Sequence, residues 1–393
     1  MRSLEMMVGL NKIIYLVLVN IFIVFLGIGL VIPVLPTLMR EMHLEGSTMG
    51  YLVAAFAFTQ LLVSPFAGKW VDLFGRKKMI VIGMLLFGLS EILFGLGQDV
   101  VVLYVSRMLG GISAAFIMPA VTAFVADITS LKERPKAMGY VAAAISTGFI
   151  IGPGIGGFLA EFGTRLPFFF AGALGFLGSL FSLLLLKEPE RPEIEQKEED
   201  KKVAKSGLRK VLEPIYLIPM IIILVSSFGL AAFETVYSLF VDHKFAFTPK
   251  DIALIISVSG ILGVVAQVLS FDRIVGKIGE IRLIQICMGV SGVFIFAMIK
   301  VSAYWSILLV TFVIFLMFDL IRPALTTYLS KIAGNEQGFV GGLNSTFTSV
   351  GNIIGPGIAG ILFDVNVDYP YVLAMFILAL SFVISLFWKE RTN

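Results

Sequence analysis

Hydrophobic residues dominate this chain in long blocks that short polar stretches separate. Blocks such as 13–35 and 79–96 have about the 20 apolar residues that a helix needs to cross a hydrocarbon core of roughly 30 Å. We therefore predict an all-α membrane protein. Its twelve predicted transmembrane helices lie near residues 12–36, 49–67, 79–97, 100–126, 137–160, 167–187, 212–240, 251–271, 283–300, 304–330, 338–363 and 370–388.

The composition agrees with a surface that faces lipid. Hydrophobic residues make up 58% of the 393 residues and charged residues 15%, whereas a soluble domain carries roughly 25% charged residues. The net charge of +3 is not gathered into a basic patch with interleaved aromatics, so we exclude nucleic acid as a partner. The single cysteine, Cys287, excludes an intrachain disulfide and a thiolate metal site. We predict no metal and no cofactor.

A strongly charged stretch divides the chain into two parts. Residues 188–211 contain two prolines and hardly any large apolar side chain, which is typical of a solvated linker. We predict a six-helix bundle on each side of it, at 1–187 and 212–393. Basic residues such as Arg76 and Arg134 follow the even-numbered spans, so the positive-inside rule places the linker and both termini in the cytoplasm.

The two predicted bundles share a repeated sequence. The segment IIGPGIGGFLAEF at 150–162 returns as IIGPGIAGILFDV at 353–365. Because each copy has six spans, the second copy crosses the membrane in the same sense as the first, and a parallel repeat of this kind favours a central cavity between the halves.

Two acidic residues lie deep in apolar spans of the second half. A charge at mid-bilayer costs on the order of 3 kcal/mol, so each such residue needs a partner or a function. Glu234 has no basic residue within one helical turn. A carboxyl that binds either a proton or a cationic molecule, but not both, is a minimal exchange device, and we predict Glu234 as the main proton carrier. We predict the same coupling role for Asp319, although Arg322 follows three residues later and a static intrahelical ion pair is the alternative.

The first half carries a second pair of ionisable residues at span depth. Arg107 is predicted to pair with an acidic residue, and Asp319 of the second half is one candidate for that residue. Glu91 is interpreted as structural, because no other polar residue gathers near it in the sequence.

Motifs in both halves carry a family resemblance. The stretch after span two, interpreted as a tight cytoplasmic turn, reads GKWVDLFGRKK at 68–78. It resembles the G-x-x-x-D-x-x-G-R-K signature of the major facilitator superfamily. Span five contains G-x-x-x-G-P-x-x-G-G at 148–157, which resembles the antiporter motif of that superfamily. In span four, Arg107 begins the run R-M-L-G-G. This run is similar to the R-x-x-Q-G motif of the superfamily, with Gly110 in place of glutamine. Span one contains G-x-x-x-x-x-P-x-x-P at 27–36, similar to a motif of the drug:H⁺ antiporter branch.

The resemblance implies a proton-coupled multidrug antiporter of the bacterial cell membrane. Such a protein would export lipophilic or cationic molecules, such as quinolones and dyes, by alternating access, and would work as a monomer in the bilayer. The implied substrate-binding residues are Phe25, Ile28, Phe56, Gln60, Ile145, Phe149, Phe315 and Asn352. The implied gating residues are Asp72, Gly75, Arg76, Gly152, Pro153, Gly156 and Gly157. For the basic residues of the first motif, fixing the topology is the alternative role.

Other functional classes fit the sequence less well. The chain has no G-x-x-x-x-G-K-[ST] loop for ATP. Its two histidines, His43 and His243, fall in predicted external loops, so no catalytic group supports an enzyme. The closest alternative is a proton-coupled nutrient symporter of the same fold, which should lack the antiporter motif.

Overall fold

The computed structural model describes residues 2–130, 133–189, 214–333, 337–386 and 388. Within these residues the chain contains no strand, and twelve helices are long and apolar enough to cross a membrane. This confirms the predicted all-α membrane fold. Apart from residues 188 and 189, the predicted linker at 188–211 lies outside the described residues. The helices are α1 (Arg2–Val31), α2 (Gly46–Phe74), α3 (Arg76–Leu96), α4 (Val100–Asp127), α5 (Arg134–Ala160), α6 (Leu166–Leu185), α7 (Pro214–Phe245), α8 (Pro249–Ala266), α9 (Glu280–Lys300), α10 (Tyr304–Ala333), α11 (Gln337–Val365) and α12 (Tyr369–Leu386).

The predicted turn after the second span is wrong in its extent. Helix α2 continues to Phe74 and α3 begins at Arg76, so Gly75 alone separates them. Gly75 has φ +99°, a conformation that glycine adopts without the steric penalty of a Cβ. A Cβ there would also lie 2.6 Å from a carboxylate oxygen of Glu188. One glycine therefore ends α2, and most of the charged motif is helical.

The described residues form two compact units. The first comprises 2–44, 55–130, 133–189 and 247–257, and the second comprises 45–54, 214–246, 258–333, 337–386 and 388. Most of each sequence half lies in one unit, but the first turns of α2 group with the second unit and the first half of α8 with the first. The bundle boundaries at 187 and 212 stay a prediction.

Helix packing repeats between the two units. In the first unit, α1 packs on α5 and α6, and α3 packs on α4 and α6. In the second unit, α7 packs on α11 and α12, and α9 packs on α10 and α12. Each pair recurs six helices later, so the sequence repeat corresponds to a repeated packing scheme.

Glycines of the predicted antiporter motif bring α5 against α1. A Cβ on Gly152 would lie 2.6 Å from the carbonyl oxygen of Leu26, and one on Gly156 would collide with the backbone of Leu30. Pro153 lies against Gly29, where its Cδ is 2.9 Å from the position of a Cβ. Small residues of this kind let two helix backbones approach closely in a membrane. Gly157 instead faces Ala253 at the start of α8.

Replacement of Gly156 by alanine tests this packing. The new methyl group would force α5 away from α1, and overpacking of this kind costs about 1–3 kcal/mol. Gly139→Ala is the matched control, because Gly139 lies in the same helix and a Cβ there meets nothing within 4 Å. We expect Gly156→Ala to lower the thermal unfolding temperature of the purified protein and Gly139→Ala to leave it unchanged or raise it. Equal temperatures for the two variants would contradict the close approach.

Candidate functional site

Glu234 is accessible on a helix whose neighbouring residues are buried. Phe233 is 1% exposed and Val236 is 0% exposed, whereas Glu234 is exposed. Within the described residues its carboxyl makes no ion pair and no hydrogen bond, and the charges of Arg322 and Asp319 act on it electrostatically. Within the described residues, Glu234 is therefore an unpaired acid at span depth.

Asp319 does not form the intrahelical ion pair that its sequence context allowed. Within the described residues its carboxyl has no salt bridge to Arg322, although Arg322 acts on it electrostatically. The side chain instead turns toward α8, where a Cβ added to Gly263 would coincide with Asp319 Oδ2. The static ion pair is thus not observed, and Asp319 is half-buried against the backbone of a neighbouring helix.

Arg322 lines a cavity within the second unit. The cavity has a volume of about 240 Å³ and is also lined by Ser226, Asn344 and Thr348. Arg322 is exposed, and in the described part of the chain its guanidinium has no salt bridge or hydrogen bond. It supplies positive charge near the two acids without neutralising either of them by direct contact.

Phe315 lies in an aromatic cluster beside these acids. Its ring centroid is 5.4 Å from that of Phe233 and 5.8 Å from that of Tyr237, both in edge-on geometry. Tyr237 donates a hydrogen bond to Thr311 at 3.1 Å, which satisfies its buried hydroxyl. The cluster holds Phe315 against the buried face of α7 that carries Phe233, the residue before Glu234. Asn352 is half-buried on α11.

Arg107 pairs with Glu91 within the first unit, and its pairing with Asp319 stays a prediction. The Arg107 Nη2 atom lies 3.5 Å from Glu91 Oε1, and the guanidinium lies 4.0 Å above the ring of Phe94. The partner comes from a different helix, which sequence proximity could not show. Glu91 is 2% exposed, so this ion pair places a positive charge beside a buried acid and supports the structural interpretation of Glu91.

Five of the predicted substrate-binding residues are partly buried in the first unit, and a sixth is exposed there. The rings of Phe25 and Phe149 lie 5.0 Å apart, and Phe149 is 39% exposed. Phe56 packs against Gly110, where a Cβ would come within 3.1 Å of its ring. The glycine that replaces glutamine in the arginine motif thus makes room for this aromatic side chain. The others of this group, half-buried, are Ile28, Gln60 and Ile145.

Arg76 is the centre of a charged cluster between α2 and α3. Its Nε atom lies 2.8 Å from Asp127 Oδ2, and its Nη2 atom lies 3.1 Å from Asp72 Oδ1. The backbone N–H groups of Arg76 and Lys77 donate to the carboxylate of Glu188 at 2.6 and 3.0 Å. Unpaired N–H groups at a helix start favour an acidic partner. Within this unit, Glu188 supplies that carboxylate, and Asp72 remains 71% exposed.

Several residues of these sites were not singled out by their sequence. Asp127 and Glu188 reach Arg76 from other helices or from the end of α6, so only the fold brings them together. Gly263 contacts Asp319 from α8, and Gln267 does so from the turn that directly follows α8. Pro323, four residues after Asp319, was a usable signal, because proline lacks the N–H that the Asp319 carbonyl would otherwise accept. Among the described residues, no group of three or more His, Cys, Asp and Glu side chains could hold a metal ion.

Comparison with known proteins gives consistent matches along the chain. The family model described as Major Facilitator Superfamily matches residues 17–244 and 219–393. The chain is 57% identical to multidrug resistance protein 2 of Bacillus subtilis strain 168, over 98% of this chain and 97% of that protein. It is 46% identical to the quinolone resistance protein NorA of Staphylococcus aureus, over 97% and 98% respectively.

A solved structure shows the same fold at low sequence identity. It is the crystal structure of a bacterial homologue of the human lysosomal transporter Spinster, with a TM-score of 0.80 and 14% identity. The similarity covers 96% of each chain.

The cluster around Arg76 predicts unequal effects of its two aspartates. Asp127 has a side chain that is 13% exposed and that of Asp72 is 71% exposed. Asp127→Asn should therefore lower the free energy of unfolding by about 1–3 kcal/mol, whereas Asp72→Asn should lower it by less than about 1 kcal/mol. Thermal unfolding in one detergent measures both, and a larger loss for Asp72→Asn would contradict this assignment.

Proposed function

Because this chain belongs to the Major Facilitator Superfamily and is a multi-pass membrane transporter, we propose that it exports lipophilic or cationic drugs and dyes from the bacterial cell in exchange for protons. The names of its relatives, a multidrug resistance protein and a quinolone resistance protein, support drug efflux. Proton exchange is supported by the chemistry of the second unit. We further propose that the protein acts as a monomer with both termini in the cytoplasm.

The unpaired carboxyl of Glu234 is the observation that carries this proposal. A buried acid that only stabilised the fold would be expected to have a charged or hydrogen-bonding partner, because an uncompensated charge in a membrane is costly. Glu91 has such a partner in Arg107, and Glu234 has none in the described residues. An accessible, unpaired carboxyl can release a proton and then bind a cationic molecule in its place.

Asp319 is proposed to be the second proton-coupling group. Its carboxyl avoids a direct contact with Arg322, so it can change protonation without first breaking a salt bridge. The charges of Glu234, Asp319 and Arg322 nevertheless influence one another. A proton or a cation bound at one acid therefore changes the affinity of the other.

Aromatic and aliphatic side chains are proposed to supply most of the binding surface for the drug. Phe315 beside Glu234, and the Phe25 and Phe149 pair of the first unit, offer ring surfaces with few fixed polar contacts. Such surfaces tolerate ligands of different shape. Gln60 and Asn352 are the proposed hydrogen-bonding groups.

Alternating access is the proposed mechanism of movement. The close backbone contacts that Gly152, Pro153, Gly156 and Gly157 allow would guide the helix motions, and the Arg76 cluster with Asp72 and Gly75 would stabilise one of the two end states. In each cycle, a drug molecule leaves outward while a proton enters inward through Glu234 and Asp319.

An imposed pH gradient tests the proposed exchange. In proteoliposomes with an acidic lumen, outward proton flow should drive a fluorescent cationic dye into the lumen. A gradient of one pH unit corresponds to about 1.4 kcal/mol and supports up to about tenfold accumulation for one proton per dye. Glu234→Gln should abolish this accumulation and still allow the dye to equilibrate.

Glu45→Gln is the control for this measurement, because Glu45 is an exposed acid before the start of α2. It should accumulate dye like the unmodified protein. Accumulation that ignores the gradient, or that survives in Glu234→Gln, would contradict proton exchange. Accumulation driven by an alkaline lumen would instead indicate the symporter alternative.

A further inference from the structure

The carbonyl group of Asp319 has lost its usual partner within the helix. In an α-helix, each carbonyl accepts a hydrogen bond from the N–H four residues later. For Asp319 that residue is Pro323, which lies inside α10 and has no N–H. Within a membrane, such a freed backbone group needs another partner from the protein or from bound water, because no lipid chain can supply one.

Gln267 provides that partner from the turn that follows the neighbouring helix α8. Its Nε2 atom donates a hydrogen bond to the carbonyl oxygen of Asp319 at 2.9 Å. Gln267 is the first residue of a π-helical turn, Gln267–Phe271, that directly follows α8. Such wide turns interrupt α-helices mainly in short segments and are frequent at functional sites.

Gly263 receives the side chain of the same aspartate. It lies four residues before Gln267, on the same face of the helix, and a Cβ there would coincide with Asp319 Oδ2. Any larger residue at 263 would therefore have to displace the carboxyl. The backbone and the side chain of Asp319 are thus both held from one side, by the end of α8 and the π-helical turn that follows it.

We propose that Gly263 and Gln267 form a positioning seat for Asp319, which holds its carboxyl away from Arg322 and available for proton exchange. The proposal rests on the coupling role proposed for Asp319 above. Without the Gln267 hydrogen bond, the kinked turn of α10 is free to shift, and Arg322 three residues later can capture the carboxyl in an ion pair. The charged groups that act on this site are Arg322 and Glu234.

A suppressor experiment distinguishes the proposed positioning role of Gln267 from a purely structural role in helix packing. Gln267→Leu removes the donor at similar volume, and we expect it to reduce gradient-driven dye accumulation about five- to tenfold. Dye exchange without a gradient should change by less than about twofold, since binding and movement of the dye do not need the seat. Pro323→Ala restores the missing N–H. In the Pro323→Ala background, Gln267→Leu should therefore have less than about a twofold effect, which is a non-additive result.

Gln285→Leu is the matched control. Gln285 lies in the same unit and donates an equivalent hydrogen bond, from Nε2 to the carbonyl oxygen of Ser385 at 2.7 Å. It does not touch Asp319, so its loss should not uncouple transport. A second variant, Gly263→Ala, should also uncouple transport, whereas Gly292→Ala should not, because a Cβ at Gly292 meets nothing within 4 Å. The amount of folded protein, measured by size-exclusion chromatography, normalises each value.

Three results would contradict the proposal that Gly263 and Gln267 position Asp319. The first is equal accumulation for Gln267→Leu and Gln285→Leu, and the second is simple additivity of Gln267→Leu with Pro323→Ala. The third is an equal loss of gradient-driven accumulation and gradient-free exchange, which would mean a structural role only. Asp319→Asn, measured in parallel, identifies the cause: if it uncouples transport while Gln267→Leu does not, the seat fails and the proposed function stands. If Asp319→Asn stays coupled, the proposed role of Asp319 fails together with the seat.

Discussion

A carboxyl group inside a membrane-spanning helix has little water to solvate its charge, so it needs a partner, a proton or a bound cation. This constraint separates the acids of the chain into two kinds. Glu91 has an ion-pair partner in Arg107. Glu234 and Asp319 have no ion-pair partner in the described residues, although Arg322 is close enough to act on both. The proposed exchange of protons for drugs follows from this difference.

The repeated parts of the fold and the unrepeated parts serve different purposes. Helix pairs recur between the two units, and glycines bring α5 against α1 as Gly351 and Gly355 bring α11 against α7. The unpaired acids have no such counterparts, because the sequence offset of the repeat places Val31 near the position of Glu234 and Phe116 near that of Asp319. The repeat therefore provides the helix packing that the two units share, and the second half adds the unpaired acids.

Much of the fold could be predicted from the sequence, because apolar blocks of fixed length and one long repeat determine where the helices lie. That Glu234 has no basic neighbour within one turn of its own helix could also be predicted from the sequence. Contacts between side chains of different helices could not be predicted in this way. Arg107 and Glu91 meet from different helices, and Gln267 reaches Asp319 across 52 positions. Pro323 revealed that the Asp319 carbonyl needs a donor, but only the packing of the turn after α8 on α10 shows which residue donates.

Proton movement caused by the drug itself is the most direct test of proton exchange at Glu234. A pH-sensitive dye in the lumen of proteoliposomes would report protons after a cationic drug is added outside, with no gradient imposed. Exchange predicts that the lumen becomes more alkaline as the drug enters, and that Glu234→Gln abolishes this change while drug still equilibrates. A constant luminal pH during drug entry, a more acidic lumen, or an unchanged response in Glu234→Gln would contradict it.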